Sequence, residues 1–300
     1  MEARLVNLKN SRVYVIGAGS VGSALAVALR RCGVRIEGVF SRRAISADLL
    51  KKKVRAKVSG TFAEISFGEK FSDTESGIVI IAVPDDAVTD VARQIALLHR
   101  DYRSFVFFHT SGTLASTALE PLRKRGAAVG SFHPLQTFLK KNGETASFKG
   151  IWIAVEGDRR AREVGKFLAK KIGARLFSVD SQLKKFYHIA AVFASNYFVT
   201  LLSAVETLGA QAKLPKRKII EIFEPLIIQT LNNVKQYGAA SALTGPIKRG
   251  DIRTIQKHLE ALSGKKNRHI LTLYAALGRE TLLLAKQLKI RRISSFGGKK

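Results

Sequence analysis

The segment VYVIGAGSVGSALA, residues 13–26, constrains this chain more than any other. A short β-branched run enters a GxGxxG turn and leaves as an alanine-rich helix, the strand, turn and helix order of a dinucleotide site. Each glycine has its own reason to be there. Gly17 allows the tight turn, Gly19 lets the backbone approach a pyrophosphate with no Cβ in the way, and Gly22 lets helix and strand pack closely. The free N–H groups from Ser20 onward, at the positive end of the helix dipole, then face the phosphates.

The next apolar run, residues 34–40, narrows the cofactor. A site that holds a free ribose 2′-OH carries Asp or Glu at the end of this strand, about 20 residues past the glycines. This chain carries Ser41, Arg42 and Arg43 there. A hydroxyl and two guanidinium groups suit a 2′-phosphate, because Arg makes planar, charge-assisted bidentate contacts with phosphate oxygens. NADP, with NADPH as the reduced form, is therefore the expected cofactor.

With 300 residues, 46% of them hydrophobic, the chain can bury a large core, most simply in two domains. Its single cysteine, Cys32, excludes an internal disulfide framework, suits a reducing compartment and is expected to be a small buried residue. The first residues show no apolar signal region, so a cytoplasmic protein is expected. Lys and Arg number 51 against 23 Asp and Glu, a formal net charge of +28. Such a chain attracts polyanions, yet the charges are spread along it and no zinc-ligand spacing, RNA-binding aromatic signature or basic zipper accompanies them. Neither a specific nucleic-acid partner nor a metal is expected.

Residues 186–205 contain no formally charged side chain over a length able to cross a bilayer. His188, Ser195, Asn196, Thr200 and Ser203 interrupt the run and no second span accompanies it, so a membrane is not expected. A helix apolar on all sides also suits the centre of a large domain or a dimer seam, and a homodimer built on this helix is expected.

Apolar runs alternate with helical patterns through the first 180 residues, the pattern of a doubly wound, mainly parallel Rossmann-type α/β sheet. From Ser181 the strand signals stop, and helical periodicity covers about 181–209, 215–237, 251–262 and 266–289. The expected organisation is a sheet domain over 1–180, an all-helical domain over 181–290 and a basic tail over 291–300.

Ligands of open α/β sheets bind beyond the carboxyl ends of the strands, and those ends are polar here. They read Val83-Pro84-Asp85-Asp86, His109-Thr110-Ser111-Gly112 and Ser131-Phe132-His133-Pro134. Asp85 and Asp86 are expected to cap the following helix. The two strand-end histidines are candidates for chemistry. In the helical half, taking 100° per residue, His188 lies about 40° around from Lys184, Ser195 falls between them and Asn196 lies about 80° beyond His188.

Together, IAVPDDAV, HTSGTL, GSFHPLQTF, FKGIWIAVEGD, YHIAAVFASN and ALTGPIKRGD resemble a family of predicted oxidoreductases that joins a Rossmann-like domain to a helical domain of unknown function. The family is similar in architecture to the 6-phosphogluconate dehydrogenase, pyrroline-5-carboxylate reductase and ketopantoate reductase superfamily, and the likeness runs from about residue 12 to 285. It implies an NADP-dependent reductase of a small, anionic carbonyl or imine compound, with a helical dimerisation domain. Alternative ketopantoate reductases in the group suggest a 2-keto acid. Relatives place a lysine and, one turn on, an asparagine beside the nicotinamide; this chain departs from that spacing. Here Lys184, His188, Asn196 and His133 are the catalytic candidates, with His188 as proton donor and Asn196 polarising the carbonyl. Val83, Pro84 and Ser111 join the cofactor residues, and His109 and Ser195 face the substrate. In the 242–251 loop, Thr244 and Arg249 are candidates for a substrate carboxylate and Asp251 for a helix cap. The rival readings are a non-catalytic NADP-binding sensor or scaffold with an anionic partner, and a nucleic-acid platform.

Overall fold

The computed structural model describes residues 11–67, 76–99, 101–139 and 147–296, with side chains of the last helix described to residue 286. The N-terminal residues and the last four, on which the signal and tail expectations partly fall, lie outside these.

Eight strands form one sheet: β1 (Ser11–Ile16), β2 (Ile36–Phe40), β3 (Val58–Gly60), β4 (Ser76–Ile81), β5 (Phe105–His109), β6 (Ala128–Pro134), β7 (Trp152–Gly157) and β8 (Arg175–Ser178). Their order is β3-β2-β1-β4-β5-β6-β7-β8, and every pairing is parallel except β6 with β7. This is the doubly wound, mainly parallel sheet that the alternating pattern predicts. Ser76–Ile81 is buried at every residue because helices cover both its faces. The three-residue β3 carries no apolar run and was not legible in the sequence; its register, Gly38 against Val58, comes from the neighbouring strand.

Helices α1 (Ser20–Arg31), α2 (Ala44–Val54), α3 (Asp85–Leu98), α4 (Glu120–Arg123) and α5 (Arg159–Lys171) flank the sheet. Leu25, Leu29, Leu50, Val164 and Leu168 fill one face with Val13, Val15 and Ile80, so α1, α2 and α5 form one layer. Val88, Val91, Ile95 and Leu122 fill the other with Ile16, Val79 and Phe107, so α3 and α4 form the second. Residues 13–16 alternate between these two clusters, as a strand buried on both faces must. Cys32 ends α1 and is exposed, contrary to its expected burial, because the chain leaves the layer there for solvent.

The chain divides into two compact units, Met1–Asn196 and Tyr197–Lys300. The first therefore runs past residue 180, where strand signals end, because α6 (Lys184–Val192) anchors its first side chain in the sheet. A π-helical turn, Phe193–Tyr197, joins α6 to α7 (Phe198–Gln211). The second unit continues through α8 (Ile219–Tyr237), the short α9 (Ala239–Ala242) and α10 (Gly245–Arg249), α11 (Ile252–Leu262) and α12 (Arg268–Phe296). The expected tail from 291 is thus helical as far as 296.

Within this unit Gly209 packs on Ile219, where a Cβ would stand 2.7 Å from a methyl carbon. Gln211 and Asn267 exchange amide bonds of 2.8 and 3.2 Å, and Asp251 caps α11 by accepting from the Thr254 N–H at 3.1 Å, as expected. Many large apolar side chains here lie on the surface: Val199, Leu226, Leu231 and Tyr237 are exposed. Lys184–Gln211 is long and apolar enough to cross a membrane by length and composition, and none of its most apolar window is buried within the chain.

Candidate active site

The glycine turn is built as its spacing requires. Gly17 takes φ +108°, and a Cβ on it would lie 2.2 Å from the Ala82 carbonyl oxygen and 3.3 Å from the Val83 nitrogen. A Cβ on Gly22 would lie 2.0 Å from the Gly17 oxygen. At Gly19, by contrast, nothing stands within 4 Å of the added atom. Gly17 and Gly22 thus pack the turn against β1 and β4, while Gly19 leaves the approach to the α1 N-terminus open. No side chain caps that terminus and no acidic residue occupies its first turn, so its N–H groups are available to an anion.

The Gly17 N–H donates to the Phe40 carbonyl at 2.7 Å, which sets the turn beside the end of β2. There Ser41 is buried, its N–H bonded to the Gly60 carbonyl at 3.0 Å, and Arg42 and Arg43 are exposed. Half-buried Val83 and exposed Pro84 follow β4 on the other flank. Uncapped N–H groups beside two exposed guanidinium groups fit a dinucleotide with a 2′-phosphate.

Three polar candidates, Lys184 on α6 with His109 and Ser111 at the end of β5, are scaffold. Lys184 is 0% exposed, and its Nζ donates to the Ser111 carbonyl at 3.0 Å, the Ser131 hydroxyl at 2.6 Å and the Leu114 carbonyl. All three ammonium donors are committed. Glu156 lies 3.8 Å away and accepts the Ser116 N–H at 2.6 Å. Burial pushes Lys184 down to about 8 even though Glu156 and Asp85 favour its charge. Its expected catalytic role is thereby corrected: it ties the segment after β5 to β6 and β7.

His109 is likewise 0% exposed. Its Nδ1 accepts the Ser111 N–H at 3.2 Å, so Nε2 carries the proton and donates to the Ala115 carbonyl at 3.1 Å. Burial and the Lys184 charge push it down to about 3. It cannot face a substrate as expected. Ser111 is committed too: its hydroxyl donates to Asp85 at 2.8 Å and accepts the N–H groups of Thr113 and Leu114 at 3.1 and 3.0 Å, leaving nothing for a cofactor. Asp85 serves this bond; Pro84 is the residue at the α3 N-cap, and no side-chain cap forms.

The scaffold holds Gly112 against two imidazoles. A Cβ on Gly112 would stand 2.5 Å from His188 Nδ1 and 2.8 Å from His133 Nε2. The rings cross at 73° with centroids 6.0 Å apart. His133 projects from β6, and its Nδ1 is hydrogen-bonded at 2.8 Å to the hydroxyl of Tyr187 on α6. Burial first, then the Lys184 and His188 charges, push His133 down to about 4, and burial pushes the Tyr187 phenol up to about 12. His188 Nδ1 is buried without a hydrogen-bond partner.

So the structure brings His133 and His188 together as a pair, with Gly112 and Tyr187 as members that sequence reasoning passed over. Gly112 suits ordinary turn chemistry and Tyr187 falls inside the apolar run 186–205, so neither carries a signal without its neighbours across the fold. The π turn overturns the helical wheel beyond residue 193, because i→i+5 bonding advances side chains by less than 100° per residue. Ser195 is half-buried and Asn196 exposed in that turn. Thr244 and Arg249 are exposed at the two ends of α10, in the second unit. Among the described residues no group of three or more His, Cys, Asp or Glu could hold a metal ion.

Residues 2–134 match the Rossmann-like domain family, and residues 151–281 match a domain of unknown function, DUF2520. Among solved structures, the chain is similar to a candidate NADP oxidoreductase from Bacteroides fragilis, with 28% identity, a TM-score of 0.75 and coverage of 92% of this chain and 99% of that one. A protein from Thermotoga maritima is 25% identical with a TM-score of 0.65 over 92% and 99% of the two chains. An imine reductase from Myxococcus stipitatus, solved with NADP+, shares the fold at 19% identity and a TM-score of 0.62 over 90% and 94%. No curated protein matches the chain. The chain therefore matches the Rossmann-like family over residues 2–134 and DUF2520 over residues 151–281, and it shares its fold with an imine reductase and a pyrroline-5-carboxylate reductase.

Proposed function

We propose that this chain is an NADPH-dependent reductase of a small carbonyl or imine compound. The observation that carries the reading is the uncapped α1 N-terminus behind Gly19, flanked by Arg42 and Arg43. The NADP named for the Bacteroides fragilis and Myxococcus stipitatus proteins supports it. The N–H groups of residues 20–22 hold the pyrophosphate, and the two arginines hold the 2′-phosphate and reject a cofactor lacking it. When bound, the cofactor supplies a hydride. His188 supplies the proton to the reduced heteroatom, and His133, beside it, orders the approach. The exposed apolar side chains of α6, α7 and α8 support a homodimer in which a second copy covers them.

NADPH oxidation by the purified chain, screened against 2-keto acids including ketopantoate, aldehydes and cyclic imines, tests the reading. Turnover of one class is expected, with His188→Ala lowering it about 100-fold while NADPH affinity is retained. Tight NADPH binding with no turnover of any class would replace the enzyme by an NADP-binding sensor.

A further inference from the structure

We propose that His133 and His188 form a two-donor site for a single oxygen atom, assembled by Gly112 and Tyr187, so that the substrate is a ketone or aldehyde and not an imine. This rests on the reductase reading and narrows it.

His133 Nε2 and His188 Nδ1 converge on the same side of one glycine, lying 2.8 and 2.5 Å from where its Cβ would be. Any larger residue at 112 would separate the rings. Tyr187 decides what His133 presents there. Its half-buried phenol stays protonated and donates to Nδ1 at 2.8 Å, so the neutral imidazole carries its proton on Nε2, toward Gly112. On the facing ring, His188 Nδ1 is a buried polar atom with no protein partner. Such an atom is costly until a ligand completes it.

With its proton on Nδ1, His188 aims a second N–H at the same place, and the two N–H groups repel unless an acceptor lies between them. A carbonyl oxygen has two lone pairs and can accept from both. An imine nitrogen has one lone pair and, once protonated, none, so it leaves one donor unpaired. As hydride from NADPH adds to the carbonyl carbon, the C=O π pair moves onto oxygen. His188 gives a proton from Nδ1 to that oxygen and a proton from water replaces it, leaving a hydroxyl group and NADP+. His133 keeps its proton and holds the developing oxyanion through Nε2–H. His133 is thus a catalytic residue, and Tyr187 is a positioning residue that acts through it.

The test uses the full chain with NADPH and two substrate sets: pyruvate, 2-oxoisovalerate, ketopantoate and benzaldehyde against 1-pyrroline and 1-pyrroline-5-carboxylate. The best carbonyl should exceed the best imine in kcat/KM by about tenfold or more, since unpaired buried donors penalise the wrong substrate. His133→Ala should lower carbonyl kcat by about 100-fold or more, the loss expected for an oxyanion donor. His133→Gln, which restores a neutral N–H donor, should recover part of it. Tyr187→Phe should narrow the carbonyl-to-imine ratio at unchanged NADPH affinity, an effect that a merely structural loss would not produce. Faster reduction of imines, or a ratio indifferent to His133→Gln and Tyr187→Phe, overturns the two-donor site and leaves the reductase standing. No turnover of either set overturns both.

Discussion

Lowering the pH from 7 to 5 should destabilise the sheet unit by about 4 kcal/mol, through two histidines that fold in neutral form. Burial pushes His109 down to about 3 and His133 down to about 4, whereas both titrate at about 6.5 in an unfolded chain. Between these limits the unfolded state holds more protons than the native state, so stability falls as pH falls. The slope is about 1.4 kcal/mol per pH unit for each group. The step from pH 7 to pH 5 crosses about 1.5 units of that window, hence about 2 kcal/mol per histidine. Lys184 adds no slope here, because with a native value of about 8 it is protonated in both states. The carboxylates Glu64, Asp101 and Asp251, all held low by hydrogen bonds, act in the same direction only nearer pH 4. Urea unfolding followed by the fluorescence of Trp152, the chain's single tryptophan, reads this unit directly because Trp152 lies on β7. His133→Gln should remove about half of the pH dependence. An unfolding free energy flat to within about 1 kcal/mol between pH 7 and 5 would refute the neutral, buried assignment of both rings.

Arg42→Ala with Arg43→Ala should remove most of an at least tenfold preference for NADPH over NADH, measured by titration at fixed salt because a +28 chain also binds phosphates nonspecifically; equal affinities in the unaltered protein would sink the 2′-phosphate site. Gly22→Ala, whose Cβ would meet the Gly17 oxygen at 2.0 Å, should cost about 1–3 kcal/mol in thermal or urea unfolding, whereas Gly19→Ala should leave stability unchanged and weaken cofactor binding. Equal stability losses at the two glycines would contradict their different roles. Light scattering should give a particle of twice the chain's 32.9 kDa, and a 32.9 kDa particle across the micromolar range would refute the dimer.

What the sequence made legible is local. Gly17, Gly19 and Gly22 are each required by backbone within a few residues or by one adjacent strand, so a one-dimensional pattern carries their geometry whole. The alternation of buried runs with helical periods likewise exposes the parallel sheet, while β3, at three residues, is too short to leave a period. The candidate site is otherwise. Lys184, His109 and Ser111 have the side chains of chemistry, but the partners of Lys184 lie 53 to 73 residues away, and those of the other two lie in the turn after β5 and, for Ser111, also at Asp85 on α3. Once those partners are counted, no donor or lone pair remains to meet a ligand. Residue type nominates a group for catalysis, and unspent hydrogen-bonding capacity decides whether it can serve. His188 keeps that capacity at Nδ1, and His133 faces it because Ser111 and Leu114, fastened by Lys184, hold Gly112 in place between them. The buried lysine is thus necessary to the site without touching what binds there. Replacing it should displace the imidazole pair before it alters any chemistry.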